Sequence, residues 1–268
     1  MVWSEEAEKA VAAVPFFIRK RVRGYVEKEA QRCGAGRVLI EHVQACRKRF
    51  LSGEAMETKG YQIETCFGAS GCPNRATESE RLVEKLEKLF AGRRFGEALA
   101  ARVGGAIRMH HEFRVSVSDC PNACSRPQIV DIGIIGARRP GLFDGNCNRC
   151  GACVNACREG ALEHPKAAGA PVLHLDRCVL CGKCASVCPT KSIRNFEKGY
   201  RILVGGKLGR HPQLGRELEG IFSEAEVIET VERCLDVYFR HGEGGERFGA
   251  VLNRVGCEAL GDNGALAT

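Results

Sequence analysis

Sixteen cysteines are present in this 268-residue chain, and all but Cys33, Cys46, Cys234 and Cys257 fall into spacings that suit metal ligation. Cys66-x5-Cys72 and Cys120-x3-Cys124 supply two pairs of thiols. Two longer runs, Cys147-x2-Cys150-x2-Cys153-x3-Cys157 and Cys178-x2-Cys181-x2-Cys184-x3-Cys188, each crowd four thiols into a short stretch, and the second echoes the first. Four thiolates are the ligand set of one [4Fe-4S] cube, so the chemistry open to these residues is electron transfer and redox catalysis. Zinc is the competing metal, but zinc sites usually separate two cysteine pairs by about a dozen residues or more. The lone cysteines read as small apolar fillers.

The elements that must hold these thiols are legible nearby. Phe113, Val115 and Val117 alternate with Arg114, Ser116 and Ser118, the pattern of a half-buried strand that runs straight into Cys120 and Cys124. Gly68 and Gly71 let the Cys66–Cys72 backbone turn around a bulky inorganic group. Thr77-Glu78-Ser79-Glu80 has the form of a capping box, followed by Leu82, Val83, Leu86, Leu89 and Phe90 at helical spacing up to Gly92. A second helix is expected over about 95–103, and a further strand over about 129–136.

Gly141 to Gly145 mark a boundary, after which the repeated cysteine runs have the spacing of two-cluster bacterial ferredoxins. In that arrangement the fourth cysteine of each run ligates the other cluster. Cys188 would join Cys147, Cys150 and Cys153, and Cys157 would join Cys178, Cys181 and Cys184. Arg158 stands where proline commonly follows the fourth cysteine, which removes no ligand. With the set Cys66, Cys72, Cys120 and Cys124, three [4Fe-4S] clusters are expected.

The paired motif, with PQIVDIGIIG at 127–136 and YRILVGGKLGRHPQLG at 200–215, resembles the nitrite and sulfite reductase family over most of the chain after about residue 60. The resemblance implies a fold of class α+β: a reductase-like sheet-and-helix domain with an inserted 2x[4Fe-4S] ferredoxin module and a small N-terminal helical domain. The expected divisions are 1–56, 57–143, 144–197 for the insert, and 198–268. It also implies siroheme, with Cys124 bridging its iron to the cube, and sulfite or nitrite as the anion reduced. The opening WSEEAEKAVAAVPFFIRKRVRGYVEKEA resembles a small domain of a light-independent protochlorophyllide reductase subunit. In the reductase family a half-domain rich in basic residues precedes the first cysteine pair, whereas here only about 60 residues do.

The acidic start and Pro15 argue against a secretory signal, no membrane span is visible, and a cytoplasmic protein is expected, where thiols stay reduced. The net charge of +7 suits an acidic electron donor or an anionic substrate better than nucleic acid. The dense patch Arg19-Lys20-Arg21-Val22-Arg23 reads as a solvated helix face. In GGKLGRHP, Lys207 and Arg210 are the candidate catalytic cations, placed where backbone N–H groups could also meet an anion. Ser223 to Glu226 caps a last long helix to about residue 240, a short one follows over 246–255, and the tail after Gly261 reads as loose. The function expected is an iron–sulfur oxidoreductase of the sulfite or nitrite reductase type, working with an electron-donor protein or partner subunit in an oligomer. The alternative is an electron-transfer subunit with three clusters and no siroheme, part of a larger redox complex.

Overall fold

Ser4 keeps an extended backbone and accepts the N–H of Ala7 on its hydroxyl (3.3 Å), which starts helix α1 (Glu5–Ala12). Ahead of it β1 (Val2–Trp3) pairs in parallel with β2 (Arg37–Val38), and helices α2 (Phe16–Arg32) and α3 (Ile40–Ser52) complete the bundle around Ala7, Val11, Val26, Ala30 and Val38. The basic patch is less solvated than its sequence suggests. Arg23 stacks over Trp3 (4.1 Å to the ring centre) and pairs with Glu8 (2.5 Å), while the Arg19 guanidinium donates to the carbonyls of Ala12 and Val14 at the end of α1.

The structure, a computed structural model, describes residues 1–52, 58–143, 147–164 and 170–267. It divides into two compact units, one of Met1–Thr58 with Ala106–Arg108, the other of Lys59–Gly105 with Met109–Thr268. The boundary expected at 56/57 and the glycine-marked boundary at 144–145 involve positions outside the described residues.

The second unit is α+β. Its sheet has the order β3-β4-β5-β8-β9, built from β3 (Tyr61–Thr65), β4 (Phe113–Ser118), β5 (Ile132–Leu142), β8 (Ile193–Val204) and β9 (Arg216–Glu217). The first three strands are parallel and the last two antiparallel. Helices α4 (Glu80–Gly92), α5 (Phe95–Val103), α8 (Glu224–His241) and α9 (Phe248–Val255) pack on β3 and β4 through Tyr61, Phe90, Phe95, Phe113, Tyr238 and Phe248, whose neighbouring ring centres lie about 4.6 to 6.3 Å apart. Between β5 and β8 lie α6 (Ala152–Ala156), the small ribbon of β6 (Leu162–Glu163) and β7 (Val172–Leu173), and α7 (Lys183–Val187).

Three local expectations change. β4 is buried on both faces, with Ser116 and Ser118 fully covered, because it is a central parallel strand with neighbours on each side. The helix expected from Thr77 starts at Glu80 with no side-chain cap; Thr77 and Ser79 are spent on Asp119 instead. The tail after Gly261 is held: Ala265 accepts the N–H of Glu219 and Ala267 donates to Glu217, so the chain end lies along β9. The capping box at Ser223 and Glu226 forms as its sequence predicts.

Candidate metal centres

The parallel register that pairs Thr65 with Val117 puts the last residues of β3 and β4 side by side, so Cys66 and Cys120 leave the sheet at the same end. From β3 the chain makes a short helical turn at Gly68–Ser70 before reaching Cys72. From β4 it passes Asp119 and Cys120, reaches the left-handed Ala123 (φ 52°), and arrives at an exposed Cys124. The second loop is folded back on its own strand. Ser116 donates to the Ser125 carbonyl (2.7 Å), the Ser118 and Ser125 hydroxyls meet at 2.6 Å, and Ser125 reaches the Val117 carbonyl (2.9 Å). Gly136 of β5 admits the loop: a Cβ there would lie 2.7 Å from the Asp119 carbonyl carbon.

The Cys120 thiol feels the other three of this centre. Burial pushes the Cys120 thiol up, the Asn122 N–H opposes that, and Cys124, Cys66 and Cys72 add to the rise. Cys66 receives two backbone donors, Gly68 N–H and Asp119 N–H, each 3.3 Å from its sulfur. Asp119 itself is buried, held by Arg75 (2.7 Å) and by the Ser79 hydroxyl (2.5 Å).

The remaining eight thiols form two further groups. Cys147, Cys150, Cys153 and Cys188 line one cleft, together with His164. Cys157, Cys178, Cys181 and Cys184 line a second cavity of about 410 Å³. The sequence repeat is visible in the backbone: Arg149 (φ 56°) and Gly151 (φ 74°) match Leu180 (φ 61°) and Gly182 (φ 69°), and each pair opens a five-residue helix, α6 or α7. Left-handed non-glycine residues cost free energy that the surroundings must offset, and they concentrate at functional turns. Burial raises the Cys153 and Cys178 thiols and pushes Cys184 up to about 12. At Cys188 burial also acts upward, but the Ile193 N–H (3.5 Å), the Thr190 hydroxyl (3.7 Å) and the Ser192 and Thr190 N–H groups together outweigh it and hold the thiol below its ordinary value. Ala161 N–H lies 3.3 Å from the Cys157 sulfur.

The donor sets fit iron–sulfur cubes. Each is four thiols, and sulfurs of all three receive backbone N–H groups, which favour the thiolate. Among the described residues no three His, Cys, Asp or Glu side chains converge closely enough for a single ion; a cube spreads its thiolates over four iron corners. A macrocycle beside the first centre would meet the exposed Cys124 and the exposed ring of Phe67, which follows Cys66.

Lys207 and Arg210 lie on a hairpin after β8. Lys207 is half-buried and Arg210 exposed, and the N–H groups of Gly205, Lys207, Gln213 and Gly215 all donate to backbone carbonyls. Those four donors are spent within the fold. Of the lone cysteines, Cys234 and Cys257 are buried, Cys46 is half-buried and Cys33 is exposed, so the filler reading holds for the first two. Two residues carry no signal in sequence. The ring nitrogens of His164 are buried with no hydrogen-bond partner among the described residues, and Arg138 lies between two centres.

Residues 58–263 match the nitrite and sulphite reductase 4Fe-4S domain, and residues 3–47 match the proto-chlorophyllide reductase 57 kD subunit. A coenzyme F420-dependent sulfite reductase of Methanocaldococcus jannaschii is 32% identical over 71% of this chain and 28% of its own length. The beta subunit of the dissimilatory-type sulfite reductase of Nitratidesulfovibrio vulgaris is 24% identical over 57% of this chain and 45% of its own. The chain thus spans about a quarter to a half of these relatives. A crystal structure of dissimilatory sulfite reductase I superposes with a TM-score of 0.48 at 19% identity, covering 77% of this chain and 52% of the other. With a matched region that contains β3, β4, both cysteine pairs and the repeated runs, the chain belongs to the nitrite and sulphite reductase 4Fe-4S domain family.

Proposed function

We propose that the chain is an iron–sulfur oxidoreductase of the sulfite reductase type, in which a ferredoxin-type insert (144–197) delivers electrons to the centre at Cys66, Cys72, Cys120 and Cys124. The observation that carries this reading is the shared cavity: Cys120 lines the same space as Cys157, Cys178, Cys181 and Cys184, whereas Cys147, Cys150 and Cys153 line another. Electrons would therefore enter at the Cys147 set, pass to the Cys157 set, and reach the Cys120 side last. When bound, the clusters carry single electrons, and siroheme on Cys124 would supply an open iron site for multi-electron reduction of sulfite or nitrite.

This chain's residues have three tasks. The thiolates hold the clusters, and the N–H groups at Cys66, Cys157 and Cys188 stabilise their charge. The loop ending at Cys124 is fixed by Ser116, Ser118 and Ser125, so that its thiol stays at the exposed end of the centre. Lys207 and Arg210 would attract the anionic substrate or the macrocycle's carboxylates by charge. Family relatives named as subunits of sulfite reductases support work within a larger assembly.

The test is the absorption spectrum of the protein purified without oxygen from a siroheme-producing host. Siroheme bands that shift with sulfite or nitrite, and that Cys124→Ser disturbs, would support the enzyme. A second reading, electron-transfer subunit without siroheme, is favoured by one observation: the residues before the first centre match a different family over 3–47. Fully cluster-loaded protein with no such bands, alone or with its partner subunit, would decide for that reading.

A further inference from the structure

Arg138 stands in β5 where two of the thiol centres meet. Its backbone N–H donates to the carbonyl of Leu180 (2.6 Å), inside the Cys178–Cys181 loop, and it forms a parallel bridge with Cys181. Its own Cβ lies 2.7 Å from where a Cβ on Gly182 would stand, so the two chains touch. In the other direction its Nε donates to the carbonyl of Ala76. The N–H groups of Ala76 and Thr77 in turn donate to the carbonyl of Asp119 (2.8 and 3.0 Å), the residue before Cys120. One residue therefore ties the two loops together, by its backbone to the Cys178–Cys181 loop and by its side chain to the segment that holds Asp119, and both centres border the cavity it lines.

Its charge is placed as deliberately as its bonds. A thiolate-held cube is anionic and gains a further negative charge on reduction, so a nearby cation favours the reduced form, the more so away from bulk water. Arg158 and Lys183 also line this cavity but are exposed. Arg75 is paired with Asp119 and Glu80. Arg138 is half-buried and donates to a neutral carbonyl.

We propose that Arg138 is a positioning residue for electron transfer: it holds the Cys157, Cys178, Cys181, Cys184 centre against the Cys66, Cys72, Cys120, Cys124 centre and raises the reduction potential of both. The proposal rests on the relay reading above. One electron leaves the Cys157, Cys178, Cys181, Cys184 centre, which is oxidised, and arrives at the Cys66, Cys72, Cys120, Cys124 centre, which is reduced; no bond is made or broken, and a one-electron donor protein replaces the electron.

The test uses the full chain loaded with iron and sulfide without oxygen, with each cluster's potential read by titration followed by electron paramagnetic resonance. Wild-type protein is measured first, and fewer than three clusters there would sink the relay reading itself. With three present, Arg138→Met is expected to lower the potentials of the two clusters bordering the cavity and to leave that of the Cys147, Cys150, Cys153, Cys188 cluster in place, with Arg138→Lys restoring them. Unmoved potentials, a shift in one cluster alone, or an equal shift in all three would overturn the proposal. Should Arg138→Met lose iron, Arg138→Lys decides: wild-type potentials with full iron uphold the role of the charge, and loss of iron there too makes Arg138 a structural clasp only.

Discussion

Two glycines at equivalent places in the repeat, Gly151 and Gly182, separate conformational need from steric need. Both have φ near +70°, yet a Cβ on Gly151 would meet nothing closer than Asn155 at 4.0 Å, whereas one on Gly182 would lie 2.7 Å from Arg138 Cβ and 2.8 Å from Asn195 Oδ1. Gly151→Ala is expected to cost about 1 to 2 kcal/mol and keep its iron. Gly182→Ala should instead displace the Cys178–Cys181 loop from β5 and lose about four irons of about twelve. Iron analysis of both variants checks this, and equal iron in the two would show that the Arg138 side of the contact yields easily.

At the scale of elements, the sheet is locked to its helices by a buried ion pair. Asp131, fully buried before β5, accepts the Arg114 N–H (2.9 Å) and two bonds from the Arg247 guanidinium (3.2 and 2.5 Å) just ahead of α9. Arg247→Met leaves that carboxylate buried with its cation gone, and should destabilise the fold by about 3 to 5 kcal/mol in denaturant titration. Ser223→Ala removes only the cap of α8, a solvent-side interaction, for which about 1 kcal/mol is expected. A similar cost for the two would mean that Asp131 finds other donors.

For the whole molecule, the insert is joined to the sheet through the long β5–β8 ribbon and through Arg138, while its own thiols form separate sets. Cys150→Ala and Cys181→Ala are therefore expected to slow reduction by an external donor while the centre at Cys124 still assembles. Stopped-flow reduction read beside the iron content tests this. If the whole protein collapses, the insert is part of the main core and its effect is on folding. No helix among the described residues is long and apolar enough to cross a membrane.

Sequence alone determined what is local. Cysteine spacing marked the ligand candidates, and the cap at Ser223 marked a helix start, because each depends on residues a few positions apart whose chemistry needs no distant partner. The tertiary structure decided what depends on chains meeting. Ser116 and Ser118 read as the wet face of a strand, but parallel neighbours on both sides bury them, and they bind the Cys120–Ser125 loop instead. Thr77 and Ser79 have the chemistry of a cap, and Asp119, 40 or more positions away, takes it from the helix. Arg138 looks like any strand residue, and its place between two centres comes from a pairing with Cys181 that no spacing encodes. A long-range contact is set by the register of the sheet, and that register is the sum of many burials along the strands, with no single local mark in the chain.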